Sequence, residues 1–373
     1  MAARKKITPK GVEESEDVAA VSGRGRKTKV KPVGNKNTAA IVAAMRAKLG
    51  KSAGSMVVEM AAGSLSDVKE YIPCGVSVID RHLLGGNGLP VGRLTELFGD
   101  YGTGKSSMCY AFMAGCQRMG GLVGLAESEN GLQVERAMSF GVDPEGVVLT
   151  HPESLEDVLS NAEAFMQAIP EGVGPNLWVL DSIAACMTKA EKEAGAGGAL
   201  RVGEFARRMS HGMKQLCALA ARTRTALLLT NQTRQKIGVA FGNPTTTPGG
   251  DAVKFYASSR LQLMGGSSIK VEDVQVGKDV TIMCVKNKLV PPMRKNKVRF
   301  LYESGWHEQW TTMTHAKNLG LIDAKAKGMK GYQEAMEKLG WPVDGALDAV
   351  EEEEGLEALS EDQARESLGG LFD

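Results

Sequence analysis

The sequence predicts an α/β fold with a mostly parallel central sheet flanked by helices. Three observations predict it. From Cys74 to about Glu303, strand-like runs alternate with segments of helical spacing. Several of those runs, such as "NLWVLDS" and "ALLLTNQ", lack the polar alternation of a half-wet strand, as strands covered on both faces require. Finally, "GDYGTGKSS", Gly99 to Ser107, contains the pattern G-x-x-x-x-G-K-[ST] between the strand-like "GRLTELFG" and a helical stretch with apolar Met108, Phe112, Met113 and Cys116. Strand, glycine turn and helix follow in the order a phosphate loop needs.

At 373 residues the chain is long enough for a sizeable core in one large domain or two. Its 45 Lys and Arg nearly balance its 44 Asp and Glu, yet the charge is polarised. Residues 1–36 are basic, with Gly and Pro and little periodicity, and residues 344–373 are strongly acidic. Both are expected to be flexible tails, and a solubilising role and a functional one stay open for each. No apolar run approaches a membrane span, and the N-terminus lacks a signal-peptide core, so a soluble cytoplasmic protein without a membrane partner is expected. The six cysteines form no C-x-x-C pair and are expected as reduced, mostly buried thiols; the five scattered histidines suggest no structural metal site.

Taken in order, residues 37–70 open with "NTAAIVAAMRAKLGK", whose Ile41, Val42, Met45 and Leu49 make an amphipathic helix ending at Gly50. "GSMVVEM" follows as a short strand. A helix and strand ahead of the nucleotide core need a partner surface, on the same chain or on a neighbouring subunit. The core, residues 71–303, holds the candidate strands "RLTELFG", "GLVGLAES", "GVVLT", "NLWVLDS", "ALLLTNQ", "RLQLMG", "VTIMCVKNK" and "VRFLYE". Residues 304–343 read as a small helical region.

In the turn itself, Gly99, Gly102 and Gly104 let the backbone curl so that N–H groups point at a polyphosphate. Asp100, Tyr101, Thr103 and Ser107 complete the nucleotide-binding stretch. Lys105 would reach the β- and γ-phosphates, and Ser106 would take a place on Mg²⁺. In an open α/β sheet the ligand lies at the carboxyl ends of the strands. There "NLWVLDS" ends in Asp181, read as the magnesium carboxylate in preference to a helix cap, and "ALLLTNQ" ends in Asn231 and Gln232. Hydrolysis also needs a group that orients water; Glu129 is the candidate, with Glu127 the near alternative.

From Thr233 to Gly250 few residues are bulky and apolar. Arg234, Lys236, Ile237, Val239 and Phe241, with backbone N–H groups including those of Gly238, Gly249 and Gly250, suit a nucleic-acid strand whose phosphates are held and whose bases are spread apart. A mobile surface loop is the competing reading. A second loop, "EKEAGAGGAL", precedes a helix from about Arg201 to Ala221. Its stripe of Phe205, Met209, Met213, Leu216 and Cys217 is expected to be buried, leaving Arg207, Ser210, His211 and Lys214 to face either DNA phosphates or solvent. Lys286 and Lys288, two apart on a strand, project to one side and repel unless an anion lies between them.

Together "GDYGTGKSS", "LAESENGL", "LWVLDSIAACMTKAE", "LLLTNQTRQKIGVAFGNPTTTPGGDAVKFYASSRLQL" and "VKNKLVPP" closely resemble the bacterial RecA recombinases and their phage-encoded relatives, from about Thr38 to Glu303. The resemblance implies a RecA-like core and an ATP-dependent, DNA-stimulated ATPase. Such a protein forms a helical homo-oligomeric filament on single-stranded DNA and exchanges strands with homologous duplex DNA, served by single-strand-binding and loading proteins. It implies that Glu129 is the catalytic carboxylate, Asp181 the magnesium-associated acid and Gln232 the γ-phosphate sensor. It also implies DNA contacts for Arg207, Ser210 and Lys214, and a reach by Lys286 and Lys288 to ATP on the neighbouring subunit. Gln133 and Arg136 stand where the family has adenine contacts, which leaves Tyr302 as the candidate there. Two other functions suit the same core: a ring helicase, and a non-catalytic ATP-dependent DNA-binding regulator.

Overall fold

The computed structural model describes residues 67–195, 203–235, 245–271 and 273–342. Both tails, the helix over "NTAAIVAAMRAKLGK" and the strand "GSMVVEM" lie outside them. The described strands are β1 (Tyr71–Ile72), β2 (Leu89–Pro90), β3 (Leu94–Gly99), β4 (Val123–Glu127), β5 (Val147–Thr150), β6 (Asn176–Asp181), β7 (Thr225–Gln232), β8 (Arg234–Gln235), β9 (Thr245–Thr246), β10 (Ser259–Met264), β11 (Ser268–Val271), β12 (Val274–Asn287), β13 (Arg294–Leu301) and β14 (Gly305–Trp306). The helices are α1 (Lys105–Arg118), α2 (Val134–Met138), α3 (Leu155–Ala168), α4 (Lys189–Ala194), α5 (Glu204–Arg222), α6 (Gly250–Tyr256), α7 (Glu308–Asn318) and α8 (Gly328–Leu339).

Among the described residues one sheet dominates, in the order β14-β13-β12-β10-β3-β7-β6-β4-β5 with β11 beside β12. The six strands from β10 to β5 are parallel. β3, β4 and all but the last residue of β6 are buried at every position, the signature of strands covered on both faces. Successive side chains feed different cores: Leu177 and Val179 join Met108 and Phe112 of α1, while Trp178 and Leu180 join Met209 and Met213 of α5. The runs "VTIMCVKNK" and "VRFLYE" are strands, but β12 and β13 pair antiparallel. In β13 buried Asn296, Val298 and Phe300 alternate with exposed Lys295 and Lys297, so one face is covered and the other wet.

The stripe of α5 is buried as expected at Met209, Met213 and Leu216, with Phe205 and Cys217 half-buried against it. The stretch "EKEAGAGGAL" is not a loop from its start, because α4 covers Lys189–Ala194. Thr188 Oγ1 accepts from Glu191 N at 3.2 Å and the Glu191 carboxylate accepts from Thr188 N at 2.7 Å, a reciprocal cap that nucleates the turn. All six cysteines are free thiols, four of them buried.

α7 and α8 share a small core of Met313, Ala316, Ile322, Tyr332, Ala335 and Met336. Buried polar groups fasten this pair to the rest. The Glu308 carboxylate, fully enclosed, accepts from Ser77 N (2.8 Å), Thr312 Oγ1 (3.0 Å) and Tyr332 OH (3.1 Å), and burial raises its pKa. Nearby, Asp80 accepts from the backbone N–H of Cys74 and Gly75, and burial pushes it up to about 7. His315, 2.6 Å from Asn296 Nδ2 and packed against the His82 ring, is pushed down to about 4 by burial and by His82.

Glu308→Ala strands three buried donors and is expected to lower stability by roughly 2–4 kcal/mol, read from the urea midpoint. His315 titrates the other way: between its ordinary 6.5 and about 4 the unfolded chain binds a proton that the native ring refuses, so stability falls as pH falls. Asp80, raised to about 7, opposes this slope across the whole of that window, while His307, pushed down to about 4 by burial and Arg299, adds to it. In His315→Gln the acid-side slope becomes shallower, and melting temperatures of variant and parent converge as pH is lowered through that window.

Candidate functional site

The parallel register places the strand ends side by side: Gly99 of β3 opposite Gln232 of β7, and Asp181 of β6 opposite Glu127 of β4. Loop Gly99–Gly104 rises from the first of these. Gly102 and Gly104 have φ of +67° and +88°, which favour glycine, and a Cβ on Gly104 would stand 2.9 Å from the Trp306 ring. Thr103, buried, donates to the Asp100 carbonyl at 2.9 Å, while Tyr101 at the tip is 95% exposed. Among the described residues no side chain caps the start of α1, which leaves its first N–H groups to face an anion.

Lys105 Nζ donates to the carbonyls of Gly99 (3.1 Å) and Asp100 (2.8 Å), and burial lowers its pKa despite the attraction of Asp181 and Glu129. Asp181 accepts from Ser106 and, at 2.5 Å, from Thr230 Oγ1; burial raises its pKa against both. Ser107 is half-buried on the first turn of α1. Lys105, Ser106 and Asp181 therefore meet at one point, the donor set of a triphosphate with a divalent cation.

The two carboxylates beyond β4 have different surroundings. Glu127 is buried and accepts from the N–H of Glu129 (2.9 Å), Asn130 (3.0 Å) and Gly131 (3.1 Å). It is spent on holding the loop. Glu129 is exposed, accepts from Gln232 Nε2 at 3.2 Å and is also bonded by the Ser182 hydroxyl. Thus the structure brings Glu129, Gln232, Asp181, Ser106 and Lys105 together. Ser182 and Ser128, whose mutual bonds pin the Glu129 loop to the end of β6, were visible in the sequence only as strand-end hydroxyls.

Tyr302 lies beside the loop in a cluster absent from the sequence reading. Lys278 lies over its ring and donates to the Gly102 carbonyl, Gln275 donates to its hydroxyl at 2.5 Å, and Arg136 donates to its backbone carbonyl. A lysine in a strand of ordinary composition gave no signal.

Arg207, Ser210, His211 and Lys214 are exposed along α5. Arg234 is exposed in β8, which pairs with β9 at the base of the Thr233–Gly250 segment; Lys236, Ile237, Gly238, Val239 and Phe241 lie outside the described residues. Gly249 and Gly250, with φ of +95° and +69°, start α6, and a Cβ on Gly250 would stand 2.9 Å from Ala206 of α5. The end of one candidate segment therefore abuts the helix of the other.

Lys286 and Lys288 are elsewhere. Lys286 pairs across to Arg260, which pairs with Glu96, three residues before Gly99, so the lysines lie at the amino end of the parallel strands, roughly 10 Å back along them. They donate to the last carbonyls of α6: Lys286 to Lys254 (2.5 Å) and Phe255 (3.0 Å), Lys288 to Phe255 (3.4 Å). Burial and the neighbouring Lys288 and Arg260 lower the pKa of Lys286.

A glycine loop, a half-buried lysine and a strand-end carboxylate on a parallel sheet define a phosphate-loop nucleotide-binding protein. The model of the RecA N-terminal domain matches residues 23–307. Protein RecA of Ruminococcus albus is 34% identical over 75% of this chain and 68% of its own length, and Protein RecA 2 of Myxococcus xanthus is 36% identical over 68% and 69%. The chain belongs to the RecA family, the ATP-dependent DNA recombinases of recombination and repair. No helix among the described residues is long and apolar enough to cross a membrane.

The contrast between the two carboxylates is testable by stability alone. Glu127→Gln replaces a carboxylate bonded by three N–H groups with an amide that has one acceptor, and is expected to cost about 1–3 kcal/mol in a denaturant titration. Glu129→Gln, exposed, is expected to shift it by less than about 0.5 kcal/mol.

Proposed function

We propose that the protein polymerises on single-stranded DNA as a helical filament, hydrolyses ATP with Mg²⁺ between adjacent subunits, and pairs and exchanges the bound strand with homologous duplex DNA. The observation that carries this is the contact between Glu129 and Gln232, because Gln232 leads directly into the segment read as a DNA loop. ATP supplies the γ-phosphoryl group whose transfer to water powers the cycle, and Mg²⁺ neutralises charge on its oxygens. Ser106 and Asp181, bonded to each other, would hold that ion together with the phosphate oxygens.

Within that site Lys105 and the N–H groups at the start of α1 bind the phosphates, and the Asp100 to Ser107 backbone shapes the cradle. Glu129 accepts the proton of the attacking water, and Gln232 senses the γ-phosphate from its place against Glu129. Tyr302 packs against the base. Lys286 and Lys288 are too far along the strands to serve their own chain's loop, and a neighbouring copy is the site they suit. Among the described residues β5 is an edge strand with Val148 and Leu149 exposed, an edge that suits an extended segment of another subunit. Single-strand-binding and loading proteins are the further partners, in the cytoplasm of a bacterium or a phage-infected host.

The test is ATP hydrolysis with and without single-stranded DNA at several protein concentrations, with assemblies imaged. Stimulation of at least tenfold, rising with protein concentration, is expected. Glu129→Gln should lose at least a hundredfold in rate while still assembling. Hydrolysis indifferent to DNA and to concentration would overturn the reading, and unwinding of a forked duplex by closed rings would replace it with the helicase.

A further inference from the structure

A charged residue stands in the middle of a strand buried at every position. Glu96 of β3 is fully enclosed, and the proposed hydrolysis chemistry does not use it. One carboxylate oxygen takes Arg260 Nε at 2.5 Å, and Arg260 stacks over the Phe98 ring at 4.5 Å. The other takes Asn231 Nδ2 at 3.0 Å. A buried ion pair adds little to stability over apolar packing of the same volume, so its presence calls for another reason.

The partners of those two groups supply it. Asn231 Nδ2 also donates to the Pro248 carbonyl at 2.9 Å, and Asn231 Oδ1 accepts from Gln232 N at 3.0 Å. One amide thus ties the backbone of Gln232 to the residue that ends the Thr233–Pro248 segment. Pro248 leads through Gly249 into α6, whose final carbonyls are bonded by Lys286 and Lys288. Lys286 is directly opposite Arg260 in the sheet, and Arg260 directly opposite Glu96. Bonds and strand pairing close into a ring of Asn231, Pro248, α6, Lys286, Arg260 and Glu96, with Gln232 bonded to it through Asn231. Glu96 is the member that touches both arms.

We infer that Glu96 is a positioning residue that makes the Gln232 end of the nucleotide site, the base of the DNA segment and the Lys286/Lys288 pair move as one unit, so that nucleotide binding is read at the DNA segment and at the opposite end of the sheet. This rests on the roles proposed above for Gln232 and the segment. Low dielectric around Glu96 strengthens both of its bonds, and rigid strands leave the ring few ways to yield in part. A change at Gln232 therefore passes to Pro248 through a single side chain, and Glu96 fixes where that side chain stands.

The experiment compares the parent with Glu96→Met/Arg260→Met, which removes both charges so that no ion is left buried alone, and with Asn231→Ala, which keeps the ion pair and cuts the other arm. For each, affinity for a fluorescent single-stranded oligonucleotide is measured with and without a slowly hydrolysed ATP analogue, and affinity for a fluorescent ATP analogue is measured separately. The parent should bind the oligonucleotide at least tenfold more tightly with the analogue present. In both variants that ratio should fall below threefold while analogue affinity stays within twofold, a split that a general loss of structure would not produce. A folded variant that keeps the parent's ratio overturns the proposal, and Asn231→Ala decides it if the double variant does not fold. A parent whose DNA affinity ignores the nucleotide overturns the proposed function and this inference with it, and does so before any variant is measured.

Discussion

The parallel register of β3, β7, β6 and β4 is the constraint on which the nucleotide site depends. Strands are about 4.8 Å apart, so residues in register at their carboxyl ends stand within one or two side-chain lengths of each other. Gly99 and Gln232 form one such pair and Asp181 and Glu127 another, with Asp181 beside Thr230, two residues before Gln232. A slip of one residue in any pairing would turn Asp181 or Gln232 to the opposite face of the sheet. Full burial of Leu, Val and Trp on both faces of β6 resists such a slip. The apolar core thus fixes where polar chemistry can occur, although none of its members touches the chemistry.

Buried charge is the second organising element, and it is placed where parts of the molecule must be held in a set relation. Glu127 is bonded by three N–H groups of the loop that presents Glu129, Glu308 joins α7 and α8 to Ser77, and Glu96 joins β3 to β7 and β10. Each carboxylate is costly to desolvate and strongly directional once paired. Apolar contacts could supply comparable stability at these points, but they tolerate sliding, whereas a carboxylate held by two or three donors has one geometry.

Much of this was legible in the sequence, and the remainder has identifiable causes. Strand positions followed from uninterrupted apolar runs, and the phosphate loop from its spacing. Asp181 and Gln232 followed from the rule that strand ends carry the site. The choice between Glu127 and Glu129 needed coordinates, because it turns on which carboxylate is already engaged by loop N–H groups. The antiparallel side of the sheet was missed because "VTIMCVKNK" is apolar enough to pass for a covered strand, and only the alternation of its partner β13 shows one wet face. The roles of Lys278 and Glu96 depend on long-range pairing that no local window contains. Glu96 did leave a trace, as the one charge inside "LTELFG", and a charge in an otherwise buried strand is a reason to look for its partner.

The same sheet presents different chemistry at its two ends. At the carboxyl ends it gathers Lys105, Ser106, Asp181, Glu129 and Gln232; at the amino end β12 delivers Lys286 and Lys288 beside α6. One rigid sheet cannot bring its own two ends together, so a site that needs both must take them from two copies arranged head to tail. A head-to-tail contact joins different patches on each copy, and where its rotation does not close, it propagates as an open helix. An open helix is the geometry that can follow a linear polymer such as single-stranded DNA. In the proposed filament, the length of the strands is what sets the lysines apart from their own chain's phosphate loop.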